Sequence, residues 1–405
     1  MAFPNITNCT IGIIGLGYVG LPLAVEFSKA TRCLRTDQKL KRKVIGFDIN
    51  TRRVSELAQG IDKTGEVKSK DILNNPNIKF TTDYSDLINS DVFIVTVPTP
   101  IDSSKQPDLH AIKSACKIIG NTIKIRSTIK SSNPIIIFES TVYPGLTEEV
   151  CVKIIRENSG LNYNNERESS SFFCGYSPER INPGNKKHTL TEITKITSGS
   201  NISSSNWIDL LYGSIIKAGT YKTYSIKEAE AAKVIENTQR DLNIALINEL
   251  AIIFSKMGLD TNRVLEAAET KWNFLSFKPG LVGGHCIGVD PYYLTYKSEQ
   301  SGYKPDVVLA GRRINDNMAT WIIDRLIMKM CKESITIGKA KLLILGFTFK
   351  ENCRDIRNTQ VITLYKRALE YSMNVDIFDP ICDINEANEC YELSLKKELA
   401  FKNNY

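Results

Sequence analysis

Thr10-Ile11-Gly12-Ile13-Ile14-Gly15-Leu16-Gly17-Tyr18-Val19-Gly20 is an apolar run that ends in three glycines at G-x-G-x-x-G spacing. The run is short enough for a buried strand over 10–14, and the residues after it have the pattern of a helix over 18–29. Between a strand and a helix, each glycine has a task. Gly15 permits the tight turn, Gly17 lets a pyrophosphate approach the backbone, and Gly20 lets the helix pack closely. Tyr18 and Val19 lie in the same loop, and the helix amino terminus then stabilises phosphate charge. Asp48, at the end of a second strand over 44–47, strengthens the signal. A carboxylate there accepts from a ribose hydroxyl and repels a 2′-phosphate, which favours NAD over NADP. Arg53 is taken as a further contact in this group. Asp48 lies 28 residues after Gly20, against about 20 in the usual motif, and residues 31–43 read as a loop insertion that accounts for the excess.

Outward from this motif the βα alternation continues. Strands are expected over 91–97 and 134–139 with a helix over 109–123 between them, which implies a parallel sheet with helices on both faces. Pro98 and Thr99 end one strand, and Ser140 and Thr141 end the next. Both turns fall at the carboxyl edge of the sheet, where cofactors bind. Thr141 is a candidate to hold a water near a reacting carbon, or it caps the next helix with Ser140. Residues 162–171 are a polar break. A long helix is expected over 228–257, with Ala229, Ala232, Ile235, Leu242, Leu246, Leu250 and Phe254 at helical spacing. It would be about 45 Å long at 1.5 Å per residue, enough to connect domains and carry a dimer face. A glycine-rich loop and a helix over 306–332 follow. A second α/β unit begins at 341–346, with its next strand over 375–378. It lacks the glycine fingerprint and is assigned no second dinucleotide.

The composition is that of an ordinary soluble globular protein: 42% hydrophobic and 24% charged residues in 405, with a net charge of +7. That charge suits anionic small ligands and does not argue for nucleic acid. The most basic run, 39–43, reads as a solvated loop or an anion contact. Ten irregularly spaced cysteines, no C-x-x-C and three histidines give no spacing for a metal and no disulfide framework, so a reducing cytoplasm is expected. No apolar run reaches membrane-spanning length.

The chemistry is carried by Gly283-Gly284-His285-Cys286-Ile287-Gly288-Val289-Asp290-Pro291. A thiol beside a nicotinamide traps an aldehyde as a thiohemiacetal, which gives up a second hydride. The pairing points to an alcohol oxidised past the aldehyde to an acid. Cys286 is otherwise an inert core cysteine, although its glycine-rich setting argues against simple packing. His285 is a candidate to activate it, but adjacent side chains in a loop often diverge. Asp290 could act as a base or position water. Lys233 and Asn237, four residues apart, share one helix face. The lysine is either snorkelling to solvent or functional.

These residues in this order resemble the nucleotide-sugar 6-dehydrogenases, the UDP-glucose and UDP-N-acetylhexosamine dehydrogenase family. Val97-Pro98-Thr99-Pro100, Glu139-Ser140-Thr141-Val142-Tyr143-Pro144-Gly145 and Tyr176-Ser177-Pro178-Glu179-Arg180 complete the motif set, and the residues around Cys286 resemble the N-acetylhexosamine branch. The resemblance implies an α/β fold in three parts. These are an NAD-binding Rossmann-type parallel sheet over 1–203, a central helical dimerisation and catalytic domain over 204–325, and an incomplete C-terminal Rossmann-like UDP-binding domain over 326–405. It also implies roles. Cys286 forms the thiohemiacetal and thioester, Lys233 stabilises the oxyanion with Asn237 beside it, Asp290 and Thr141 organise water and proton transfer, and Glu179 serves thioester hydrolysis. Glu179, Arg180, Lys233, Asn237, Phe277, Lys278, Gly280, Gly283 and Arg312 would contact substrate. Lys350 and Arg357 match uridine-side contacts, although by composition alone they and Arg312 read as solvated charges. The implied partners are a UDP-sugar and further copies of the chain in a homodimer or higher oligomer. The implied pathway is precursor synthesis for a surface polysaccharide.

Members of that family continue after a segment like 399–405 into another apolar strand, so weakened UDP-sugar binding is expected here. Two rivals stand beside this reading. A hydroxy-acid-type dehydrogenase shares the cofactor domain and helical lysine but needs no thiol. An inactive NAD-binding protein needs neither. Within the family, UDP-N-acetylmannosamine and UDP-glucose are the alternative substrates.

Overall fold

The computed structural model describes residues 3–167, 170–179, 189–396 and 398. The chain divides into two compact units, Met1–Val234 and Ile235–Tyr405. The elements of the first are β1 Thr10–Ile14, α1 Gly20–Lys29, β2 Lys43–Phe47, α2 Thr51–Ala58, α3 Ser69–Leu73, β3 Ile78–Thr81, β4 Val92–Val95, α4 His110–Arg126, β5 Ile135–Phe138, a π-helical turn Thr147–Cys151, α5 Val152–Ser159, β6 Asn162–Tyr163, β7 Ser171–Tyr176, β8 Lys195–Thr197, α6 Ile202–Gly213 and β9 Thr220–Lys222. Helix α7, Ile226–Met257, starts in this unit and ends in the next.

Seven parallel strands form one sheet in the order β3-β2-β1-β4-β5-β7-β6. The order reverses between β1 and β4, the switch point where ligands bind in open α/β sheets. Every residue of β4 and β5 is buried, as expected for strands covered on both faces. Ile11, Ile13, Leu21, Leu23 and Phe27 pack with them into the main core. Each such side chain contributes roughly 1.5–3 kcal/mol, so the sheet that carries the loops is the rigid part of this unit. Strands β3 and β7 went unseen in the sequence. The apolar run of β7 starts directly after the polar break at 162–171, which itself contains β6.

One sequence expectation is corrected here. The basic run 39–43 is not a solvated loop throughout. Leu40 and Arg42 are buried, and the Arg42 guanidinium donates to the Ile6 carbonyl at 2.7 Å and to Ser214 Oγ at 2.7 Å. The apolar stripe of α7 is not uniformly buried. Ile235 and Leu246 are more than half exposed, whereas Lys233, Asn237, Asp241 and Asn248 are buried.

The second unit holds the rest of α7, α8 Thr261–Glu269, α9 Asp290–Gln300, α10 Asp306–Lys332, β10 Lys341–Leu345, α11 Val361–Glu370, β11 Asn374–Phe378 and α12 Ile384–Tyr391. Strands β10 and β11 pair in parallel. Two strands alone are marginal, but α10 covers them. Ile323 and Met330 of α10 pack with Ala368 and Met373, and Phe347, Ile356, Ile377, Leu393 and Leu395 form a second cluster. A parallel bridge joins Phe378 to Lys396.

The second sheet repeats a device of the first. Gly15 has φ +96° and donates to the Phe47 carbonyl at 2.9 Å. Gly346 also has φ +96° and donates to the Phe378 carbonyl at 2.8 Å. Asp48 accepts from Leu16 N–H at 2.8 Å, and Asp379 accepts from Phe347 N–H at 2.7 Å.

The three glycines of the fingerprint separate by substitution. A Cβ on Gly20 would lie 1.9 Å from the Gly15 carbonyl oxygen, whereas one on Gly17 would meet nothing within 4 Å. Gly20→Ala is expected to cost about 2–3 kcal/mol or more by overpacking. Gly17→Ala should change stability by less than about 0.5 kcal/mol while weakening dinucleotide binding. Thermal unfolding and calorimetric titration of the two variants check this.

Candidate active site

The carboxyl edge of the first sheet gathers the cofactor candidates. Gly15 to Gly20 follow β1, Asp48 follows β2, Pro98 and Thr99 follow β4, Thr141 follows β5 and Glu179 follows β7. Thr96 Oγ1 donates to the Gly15 carbonyl at 2.7 Å, tying the glycine loop to the end of β4. Asp48 uses Oδ2 for Leu16 N–H and Oδ1 for Asn50 N–H at 2.9 Å. Arg53 Nε donates to the Leu16 carbonyl at 2.9 Å and its Nη2 to Asp62 at 2.9 Å, so Asp48 and Arg53 hold the N–H and the C=O of one residue in the loop. Gly17 is exposed and Tyr18 and Val19 are half-buried beside it. Open space at Gly17, a helix amino terminus and a strand-end carboxylate fit a dinucleotide.

The neighbouring turns are fastened from below. Thr99 Oγ1 donates to the Thr141 carbonyl at 2.7 Å, and Ser140 Oγ donates to the Val97 carbonyl at 2.6 Å. Ser140 therefore braces two strand ends rather than capping a helix. Glu139, named only as part of its motif, is buried between Lys195 Nζ at 2.7 Å and the Tyr212 hydroxyl. Lys195 also donates to the Pro178 carbonyl at 3.0 Å, next to buried Glu179. Glu230, which sequence reasoning missed, accepts from the backbone of Gly145 and of Thr147. Burial pushes its carboxyl up to about 7 against these donors. Lys233 is 2% exposed, which rules out snorkelling. Arg180 lies outside the described residues.

In the second unit Cys286 sits in the turn just before α9, half-buried. Its carbonyl accepts from Val289 N–H at 3.0 Å and Asp290 N–H at 2.8 Å. Asp290 is fully buried, and its Oδ2 accepts from Asn237 Nδ2 at 2.5 Å. Asn237 and Asp290 thus meet beside the cysteine turn.

The glycines before Cys286 leave room for protein. A Cβ on Gly283 would lie 2.8 Å from the Asn358 carbonyl oxygen, and one on Gly284, at φ +84°, would lie 2.7 Å from the Phe349 ring. The loop 349–358 covers them, with Gly284 N–H donating to the Arg357 carbonyl at 3.1 Å and Asn358 Nδ2 to the Gly284 carbonyl at 3.2 Å. Arg357 is exposed and Lys350 half-buried. Asp355 is buried and accepts from Arg357 Nε through both oxygens at 3.0 Å. Gly280 is clamped from its other side, donating to Asn248 Oδ1 at 2.8 Å and accepting from Asn248 Nδ2 at 3.0 Å. Phe277 is half-buried and Lys278 exposed in the same loop.

Arg312 is no solvated charge. It is 3% exposed and paired with Asp241 at 2.5 Å and with Asp316. Burial raises the Asp241 carboxyl by more than Arg312 and Asn315 lower it. Asn315 links Asp241 to Asn248 through 2.8 Å hydrogen bonds. Asp241 and Asn248 were missed, yet Lys233, Asn237 and Asp241 recur every fourth residue on one face of α7, a polar stripe legible by helical spacing.

Three sequence models cover most of the chain. Residues 9–216 match the NAD binding domain of the UDP-glucose/GDP-mannose dehydrogenase family, 227–317 its central domain and 343–404 its UDP binding domain. The chain belongs to the UDP-glucose/GDP-mannose dehydrogenase family. It is an NAD-dependent dehydrogenase of nucleotide sugars, as its motif set implied. A UDP-N-acetyl-D-glucosamine 6-dehydrogenase from Pseudomonas aeruginosa is 53% identical over 384 residues, 95% of this chain and 86% of the relative. Protein CapL from Staphylococcus aureus is 50% identical over 388 residues, 96% of this chain and 86% of the relative. The solved structure of a UDP-D-ManNAc dehydrogenase from Pyrococcus horikoshii aligns with TM-score 0.80 at 28% identity, over 92% of this chain and 84% of that one. Among the described residues no helix is long and apolar enough to cross a membrane.

Asp48 sets the cofactor prediction. NAD⁺ should be used in preference to NADP⁺, and Asp48→Ala should narrow the preference by removing the charge that repels a 2′-phosphate. Equal kcat/KM for both cofactors in the parent chain contradicts this.

Proposed function

We propose that this chain oxidises the C6 alcohol of a UDP-N-acetylhexosamine of the gluco or galacto type to the uronic acid, consuming two NAD⁺ and one water. The observation that carries the reading is the turn at Cys286, a half-buried thiol whose peptide is braced by Asp290 while Asp290 itself is held by Asn237. A dehydrogenase that stops at two electrons needs no such thiol. The 53% identity to a UDP-N-acetyl-D-glucosamine 6-dehydrogenase supports the sugar class.

Gly15 to Gly20, Asp48, Arg53, Pro98, Thr99 and Thr141 would hold NAD⁺, which would supply the hydride acceptor for both oxidations. The chain's own residues supply the rest. Cys286 attacks the C6 aldehyde, and the thiohemiacetal becomes a thioester on the second oxidation. Lys233 carries a positive charge to the C6 oxyanion and Asn237 donates beside it. In a desolvated site such preorganised donors are a leading catalytic term. Asp290 and Thr141 position water and move its proton, and Glu179 serves hydrolysis of the thioester. Phe277, Lys278 and Gly280 hold the sugar and pyrophosphate, and Glu179 and Arg180 are further substrate contacts in this reading. Gly283 contributes by admitting the loop that bears Lys350 and Arg357, which take the uridine side. Arg312 completes the substrate contacts from within its ion-pair network.

The three-domain division over 1–203, 204–325 and 326–405 remains our proposal for how these tasks are shared. A homodimer or higher oligomer is supported by Leu246, Ile253 and Met257, an exposed apolar stripe on one face of α7. The proposed setting is the cytoplasm, where ten free cysteines persist. The product suits surface polysaccharide synthesis.

Two NADH should form per UDP-sugar consumed, with no free aldehyde. Cys286→Ala should abolish acid formation and leave NAD⁺ affinity unchanged. One NADH per sugar with accumulating aldehyde, or full acid production by the variant, overturns the reading.

A further inference from the structure

Asn248 is fully buried on α7 and has no role in the reaction just described. Its Oδ1 accepts from Gly280 N–H at 2.8 Å. Its Nδ2 donates to the Gly280 carbonyl at 3.0 Å and to Asn315 Oδ1 at 2.8 Å. One side-chain amide therefore holds both polar backbone groups of a single loop residue, as a neighbouring strand would. The Cα of that residue is open: a Cβ on Gly280 would meet nothing within 4 Å. Because Gly280 N–H is already taken by Asn248, donation to an anionic substrate falls to its neighbours in the loop, among them exposed Lys278.

The orientation of Asn248 is imposed from further inside. Asn315 Nδ2 donates to the Asp241 backbone carbonyl at 3.0 Å and to Asp241 Oδ1 at 2.8 Å. A backbone carbonyl only accepts, and Asp241 Oδ1 accepts from Arg312 Nη1 as well, at 2.5 Å. Asn315 is thus left one orientation, with its Oδ1 toward Asn248. Asn248 has to answer with Nδ2, which leaves its own Oδ1 facing Gly280 N–H. Turned the other way, it would set donor against donor and acceptor against acceptor at Gly280. The far end of the network lies at the thiol turn. Arg312 Nη2 pairs with Asp316, which accepts from the Tyr292 hydroxyl of α9 at 2.6 Å. A Cβ on Gly288, two residues after Cys286, would lie 3.9 Å from Arg312 Nη2.

We propose that Asn248 is a positioning residue for the substrate, oriented by the Arg312–Asp241 pair through Asn315, and that it fixes the loop holding the sugar and pyrophosphate by clamping Gly280. The inference rests on the proposed reading of Phe277, Lys278 and Gly280 as substrate contacts. Buried amide networks of this kind specify one arrangement because each member has a single satisfied orientation. A loop held before the substrate arrives loses less freedom on binding, so the clamp acts on affinity. Interactions made equally with bound substrate and transition state appear in KM and leave kcat alone.

The test combines kinetics and hydrogen exchange on the full-length chain. With UDP-N-acetylglucosamine and NAD⁺, Asn248→Ala should raise the sugar KM by about tenfold and keep kcat within about twofold. Asn315→Ala, which does not touch the loop, should raise KM by about threefold by freeing the Asn248 amide. The double variant should match Asn248→Ala alone, whereas independent effects would multiply to about thirtyfold. In the absence of any ligand, peptides spanning Gly280 should exchange their amide hydrogens faster in both single variants than in the parent. A lowered kcat with unchanged KM, as from a smaller folded fraction, overturns the proposal. So do independent effects in the double variant, and so do unchanged exchange rates. Thermal unfolding shows that folded chains are compared, and Asn315→Ala carries the test if Asn248→Ala does not fold. A parent chain that forms no NADH from UDP-N-acetylhexosamines fails the proposed function instead, and the exchange rates still decide the clamp.

Discussion

A side chain cannot be placed at Gly283 or Gly284, because the loop 349–358 already occupies the space. The contact is close enough that an added methyl would meet backbone at one site and an aromatic ring at the other. One backbone-to-backbone and one side-chain-to-backbone hydrogen bond close it. The position of Cys286 depends on this, since its turn is fixed on one side by the covering loop and on the other by α9 through Asp290. A flexible nucleophile would lose much of the advantage of orientation. The same loop carries Lys350 and Arg357, so the groups assigned to the nucleotide are tied to the turn that carries the thiol.

Both sheets solve the turn after a strand in the same way. A glycine at positive φ reaches across to the next strand's last carbonyl, and an aspartate at the end of that strand collects the N–H groups that follow the glycine. In the first sheet the turn continues into Gly17 and Gly20 and leaves room for a pyrophosphate. In the second the residues after Gly346 are Phe347, buried in the core, and Thr348. The second turn is built the same way and leads to different contents.

Much of this was legible in the sequence where one local rule decided the outcome. The glycine spacing located the cofactor loop, and the apolar runs located β1, β2, β4 and β5. Long helical periodicity located α7 and α10. What failed was any inference about which face a residue shows. Ile235 and Leu246 on α7 look like core and are exposed; Lys233 and Arg312 look solvated and are buried. Burial there is decided by partners far along the chain, such as the pairing of Asp241 with Arg312, and no window of neighbouring residues contains that information. Asp355 was invisible for the same reason, although Arg357, its partner, was singled out. Gly283 was legible as a place of close approach, but the sequence could not say that protein does the approaching.

The central claim is that oxidation passes through a covalent bond to Cys286. It is tested most directly by trapping that bond. Glu179→Gln should slow hydrolysis of the thioester, so acid quenching during turnover with NAD⁺ and UDP-N-acetylglucosamine, followed by mass spectrometry of the peptides, should find the UDP-uronyl group on Cys286. Steady acid production by the same variant with Cys286 unmodified, or the adduct on another cysteine, would contradict it.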